Sequence, residues 1–143
     1  MITHAVPSSH RAASTVWSRI AAVLSGLLGV GFGIPAAYGT YHFATHDGEV
    51  WMFMGFPTYG EGPFVDVGIP TTVLLLAGFT ALCLAEAVVG VLLWTRPRLG
   101  GWLSIALLPF ELAYWWGFAL PFGPLAGVAR TVAVVMVLRR REE

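Results

Sequence analysis

From Ile20 to Tyr41 the chain carries no charged side chain, and from Val67 to Thr95 it carries one, Glu86. Runs of this length restrict a chain severely, because about 20 mostly apolar helical residues cross the ~30 Å hydrocarbon core of a bilayer. Two more such stretches follow. The predicted spans run from about Val16 to Tyr38, Ile69 to Trp94, Leu99 to Leu120 and Pro121 to Leu138. Lipid offers backbone N–H and C=O groups no partner, so each span is expected to be a helix. None shows the period-two alternation of a membrane barrel. Composition agrees: 57% of the 143 residues are hydrophobic, 11% are charged and the mean hydropathy is +0.74. A soluble domain carries about a quarter charged residues.

The expected fold is therefore an all-α membrane protein, a four-transmembrane-helix bundle. A long extracytoplasmic loop joins helices 1 and 2. Residues 1–14 read as a cytoplasmic tail, loosened by Pro7, Ser8 and Ser9, and residues 15–143 as a single transmembrane domain. A cleaved signal peptide in place of span one is disfavoured. Its apolar stretch is longer than such a peptide's core, and Pro35-Ala36-Ala37 is a poor cleavage site.

The direction of insertion follows from the arginines. The chain has 8 basic and 8 acidic residues, and every basic one is Arg. Arg11 and Arg19 precede span one, Arg96 and Arg98 sit between spans two and three, and Arg139, Arg140 and Arg141 follow span four. The loop from about Gly39 to Gly68 holds Asp47, Glu49, Glu61 and Asp66 with no basic residue. The positive-inside rule puts both termini in the cytoplasm. Arginine without lysine, in a chain rich in Ala, Gly and Val, suits a bacterial inner (cytoplasmic) membrane.

Three charges fall inside spans: Glu86, Glu111 and Arg130. At about 1.5 Å of rise per residue they lie roughly 15, 19–20 and 13–14 Å above the arginine-marked boundary. An isolated charge at such depth costs at least about 2.5–3.5 kcal/mol. The simplest solution is a cluster with Arg130 bridging the two carboxylates. The formal sum is then minus one, so a proton, a cation or a ligand completes the balance. This cluster is the candidate catalytic or proton-titrating site; equally, it reads as a clamp that orients the helices. Ser104 and Tyr114 lie seven and three residues from Glu111, on or near its face, as candidate hydroxyl partners. Trp115 and Trp116 are candidates for lining an apolar ligand cavity, although tryptophans near span ends ordinarily form the interfacial belt.

Small residues predict where helices touch. Gly29 and Gly33 have GxxxG spacing in span one, with Ser25 a turn before, and in span two Gly90 shares a face with Glu86. Pro35 is expected to kink or end the first helix. Trp51 to Phe56 is apolar but too short to span, and reads as an interfacial segment capping the bundle. His42 and His46, four apart near Asp47 and Glu49, lack a third fixed ligand in a recognised pattern. No metal is expected. Cofactors are not expected either: no histidine lies inside a predicted span to hold haem. Cys83 stands alone, so the chain has no internal disulfide. No phosphate-cradling loop, nucleophile elbow or metalloprotease helix is present. Nucleic-acid binding has no support beyond the terminal arginines.

The stretch Leu84-Ala85-Glu86-Ala87-Val88-Val89-Gly90-Val91-Leu92-Leu93-Trp94-Thr95-Arg96 resembles the second helix of the DoxX-like family, with an acidic residue, a glycine one turn on, a leucine run and an arginine in the turn. Met54-Gly55-Phe56-Pro57 resembles that family's segment before the helix. The resemblance covers about Gly55 to Leu120. It implies a four-helix bundle in the inner membrane, and some relatives are subunits of quinone-linked oxidoreductases. Glu86 and Gly90 match its motif; Glu111 and Arg130 rest on the charge argument alone.

Three functions stay open. The first is an accessory subunit of a membrane complex, in contact with lipids and with a protein partner or a second copy. The second is a membrane enzyme using Glu86 and Glu111 as acid and base on a lipophilic small molecule. The third is a proton-coupled transporter. Small multidrug transporters also have four helices and a central glutamate, but theirs lies in the first helix, where this chain has none.

Overall fold

The computed structural model describes residues 8–140, with side chains from residue 14 onward. Residues 1–7 and Arg141, and the side chain of Arg11, lie outside the described residues. From Ser8 onward the expected tail is already helical.

Four long helices carry the fold: α1 (Ser8–Thr45), α3 (Val73–Thr95), α4 (Pro97–Gly117) and α5 (Phe122–Arg139). Between α1 and α3 lie two short strands, β1 (Met52–Phe53) and β2 (Phe56–Pro57), and one helical turn, α2 (Pro63–Asp66). The long helices form a ring in which α1 packs on α3 and α5, and α4 packs on α3 and α5. The α1–α3 contact is the most extensive.

Three of these helices are long and apolar enough to cross a membrane: residues 14–45, Val73–Thr95 and Phe122–Arg139, with mean hydropathies of 1.9, 2.2 and 1.5. The helix α4 matches the third predicted span in place and length, yet it falls short in apolarity. Arg98, Pro109, Glu111 and the amphipathic rings of Trp102, Tyr114, Trp115 and Trp116 dilute its aliphatic content.

Pro35 does not end α1. The helix continues for ten more residues, to Thr45, and its 38 residues reach about 57 Å, nearly twice a hydrocarbon core. Thr40 holds this extension against α3: its hydroxyl bonds the Ala36 carbonyl at 2.7 Å and meets the Thr80 hydroxyl at 3.2 Å. The second predicted span starts late. Pro70 and the extended Thr72 delay the helix, and the Thr72 side chain caps it by accepting from Leu75 N–H at 3.1 Å.

The apolar segment Trp51 to Phe56 is a tight antiparallel hairpin, with Met52 opposite Pro57 and Phe53 opposite Phe56. Met54 and Gly55 both have positive φ at its turn, as the twist of a two-residue hairpin demands. Trp51 anchors it edge-on against Tyr38 of α1, with ring centroids 4.7 Å apart. His42 and His46 stack on each other at the end of α1, and the Nδ1 of each is engaged, that of His42 by the Glu49 carbonyl and that of His46 by the His42 carbonyl and the Thr45 hydroxyl.

Close approach of α1 and α3 explains the glycines. A Cβ on Gly29 would sit 2.5 Å from the Ala87 nitrogen, and one on Gly90 would sit 3.1 Å from the Ala22 oxygen. The expected GxxxG face of span one is thus the α1–α3 contact. Ser18 adds a hydrogen bond from its hydroxyl to the Leu93 carbonyl at 2.5 Å.

Candidate functional site

Glu86, Glu111 and Arg130 sit on three different helices, α3, α4 and α5, and meet in the middle of the ring. All three are buried, with 2%, 3% and 0% exposure. Arg130 forks onto Glu111, Nη1 to Oε1 at 2.8 Å and Nη2 to Oε2 at 2.6 Å, and its Nη1 also donates to Oε1 of Glu86. The fork is the strong geometry for a guanidinium and a carboxylate. It exists because each residue falls on the inward, buried face of its helix. On α5 that face also carries the buried Gly123 and Gly127.

Those two glycines also make room for Trp115. A Cβ on Gly127 would lie 2.2 Å from the indole Cη2, and one on Gly123 would lie 2.6 Å from Cδ1. The indole is therefore slotted against α5, 5% exposed, at the edge of the ionic cluster.

A void lies against the cluster, bounded by Glu86, Glu111, Cys83, Phe79, Phe32 and Trp115 among others. Its volume is about 10 Å³, near the smallest that holds one water. Among the described residues, Glu86 Oε2, Arg130 Nε and the Ser25 hydroxyl of α1 are buried without a hydrogen-bond partner. Such atoms cost about 1–3 kcal/mol each when left unmet, so the two that belong to the cluster, Glu86 Oε2 and Arg130 Nε, mark it as a place where a small polar species has something to bind.

The remaining predicted site residues divide. Ser104 is buried, two turns before Glu111 on the same inward face. Tyr114 does not serve Glu111: its hydroxyl donates to the Leu75 carbonyl of α3 at 3.1 Å, over Gly78. Trp115 borders the void, and Trp116 faces another way. Adjacent helical residues point about 100° apart, and Trp116 is 55% exposed, beside Phe64 of α2. Sequence reasoning missed Phe32 and Phe79 as walls of the void, since an aromatic inside an apolar run carries no mark of which way it faces.

Tyr59 was also missed. It lies in the α1–α3 connection, yet its ring packs on Phe79 and Phe118, and its hydroxyl donates to the Phe32 carbonyl at 3.3 Å. Pro35, three residues on, lacks the N–H that the neighbouring Gly31 carbonyl would accept from. Burial raises the Tyr59 hydroxyl pKa above its ordinary value. Its backbone has positive φ, as do Gly60, Glu61 and Gly62, and this unusual run turns the chain over the end of the ring. A positive φ in a tyrosine singles out a position held by its surroundings, and nothing in local sequence announces it except the flanking glycines.

No protein-family model, no curated protein and no solved structure matches the chain.

Proposed function

We propose that this chain is a four-span protein of a bacterial cytoplasmic membrane, with both ends cytoplasmic, that serves as a non-catalytic accessory subunit of a larger membrane complex. The observation that carries this reading is the closure of the ionic cluster. Both terminal nitrogens of Arg130 are committed to Glu86 and Glu111, and the space beside them is about 10 Å³. A site of that size admits a water or a proton rather than an organic substrate. Its work is to fix three helices in register, the best-attested use of a buried ionic group. The resemblance of Leu84 to Arg96 to the DoxX-like family supports the same role, since some of those proteins are subunits of quinone-linked oxidoreductases.

The span that completes this topology beside α1, α3 and α5 is α4, whose Glu111 is sheltered by α3 and α5. Inward-facing, paired charges are the tolerated kind inside a membrane. The arginines flanking the helix ends set the orientation. Cysteine labelling tests it: Glu49→Cys reacts from outside the cell and Arg98→Cys from inside, each in a Cys83→Ser background. The reverse pattern defeats the topology.

The unpartnered Glu86 Oε2 favours a second reading, in which the cluster binds and releases a proton in a membrane enzyme or transporter. Native mass spectrometry of the protein gently extracted from its own membrane separates the two. A retained protein partner supports the subunit. A retained lipophilic small molecule other than a phospholipid, with no partner, moves the proton-handling reading ahead.

A further inference from the structure

On the outside of the bundle, α1 and α3 leave a groove between them. Gly26 forms part of its floor, and a Cβ added there meets nothing within 4 Å. Val23 and Val30 of α1 face Ala87 and Val91 of α3 across it. Its volume is about 470 Å³ and its lining is almost wholly apolar. From Ala87 to Thr95 it runs about 12 Å along α3, most of the depth of one leaflet.

The groove ends in positive charge. Trp94 stands at its mouth with the Arg19 guanidinium 4.9 Å above the ring. Thr95 also borders a second, wider hollow of about 580 Å³, formed at the tight α3–α4 turn by Arg96, Arg98 and Trp102. Among the described residues no acidic side chain lines either hollow, and none pairs with Arg19, Arg96 or Arg98. Arg130, by contrast, has two carboxylates.

An apolar channel one leaflet deep, opening between two tryptophans onto guanidiniums that have no carboxylate partner among the described residues, is complementary to one kind of molecule: an anionic amphiphile. Guanidinium forks bind phosphate oxygens in pairs, and basic pockets at the membrane surface hold anionic headgroups. We infer that this chain carries a site for one anionic membrane phospholipid, its phosphate between Arg96 and Arg98 with Arg19 at the rim, and one acyl chain in the α1–α3 groove. The inference rests on the reading above only in needing the α3–α4 turn at a membrane surface.

The test places the protein in nanodiscs of equal phosphatidylglycerol and phosphatidylcholine, then counts retained lipids by native mass spectrometry. The wild-type chain is expected to keep one phosphatidylglycerol, and R96Q/R98Q to lower that preference about tenfold or more. Gly26→Leu acts at the other end: its Cβ enters open space, so the side chain is expected to occupy the groove and lower retention of either lipid. It keeps the question decidable if the arginine variant does not fold. Equal retention of the two lipids by the wild type, an unchanged preference in R96Q/R98Q, or a second copy of the chain retained on the groove instead of lipid overturns the inference. Pro97→Cys, in a Cys83→Ser background, tells the two readings apart. Labelling from outside the cell defeats the proposed orientation and leaves the lipid site standing. No labelling from either side removes the surface location and the site with it.

Discussion

The guanidinium of Arg130 and the carboxylate of Glu111 lie face to face as a two-pronged fork, closed at 2.8 and 2.6 Å. They are nineteen residues apart on consecutive helices, so the fork sets the register of α5 against α4. Glu86, reached by the same Nη1, extends that register to α3.

Removing one member is expected to be worse than removing all. Arg130→Met leaves two buried carboxylates facing each other without a cation, at an expected cost of about 3–5 kcal/mol. Replacing Glu86, Glu111 and Arg130 together by Leu, Leu and Met is expected to recover most of that loss. Thermal unfolding in detergent measures both. A single Arg130→Met variant as stable as the wild type would show that the cluster does not hold the helices.

Gly29 and Gly26 make a matched pair, three residues apart on α1. Gly29→Leu is expected to force α1 off α3, because even its Cβ would lie 2.5 Å from backbone, and overpacking costs typically about 1–3 kcal/mol or more. Gly26→Leu is expected to be nearly neutral in stability. Equal effects of the two in an unfolding assay would contradict the packing described.

Gly127→Ala tests the slot of Trp115. The added methyl collides with a rigid indole, so the ring must turn or α5 must move, at an expected cost of about 1–3 kcal/mol. A changed near-ultraviolet dichroism band should accompany the loss. An unchanged spectrum with unchanged stability argues against the slot.

Tyr59→Phe removes the hydroxyl that reaches Phe32, at an expected cost of about 0.5–1.5 kcal/mol at neutral pH. The sign of the pH effect follows from burial, which raises the folded-state value of this phenol. Its contribution is fully present below the unfolded value near 10 and is lost as pH rises toward the folded one. The wild type is therefore expected to lose stability above about pH 10. Tyr59→Phe lacks that component. Parallel alkaline unfolding curves for the two would refute it.

Much of this was legible in the amino-acid sequence, because a bilayer imposes one-dimensional rules. Apolar length gave α3 and α5 within four residues at each end, but only the middle of α1, which starts eight residues before the expected span and ends seven after it. Depth counting brought Glu86, Glu111 and Arg130 to one level, and the cost of an isolated charge in lipid forced them together. Gly29 and Gly33 marked a face of close helix contact for the same reason, since close approach in lipid needs small residues, and the structure puts α3 on that face. Tertiary structure alone decided the rest. Whether Tyr114 turns to Glu111 or to Leu75, and which of Trp115 and Trp116 faces inward, depends on the rotation of α4 about its axis. Apolarity on all sides of a membrane helix erases the polar-outward signal that would report that rotation. Tyr59 returned to the bundle through a run of positive-φ residues, and Pro35 left α1 unbroken, because contacts distant in sequence outweighed local preference.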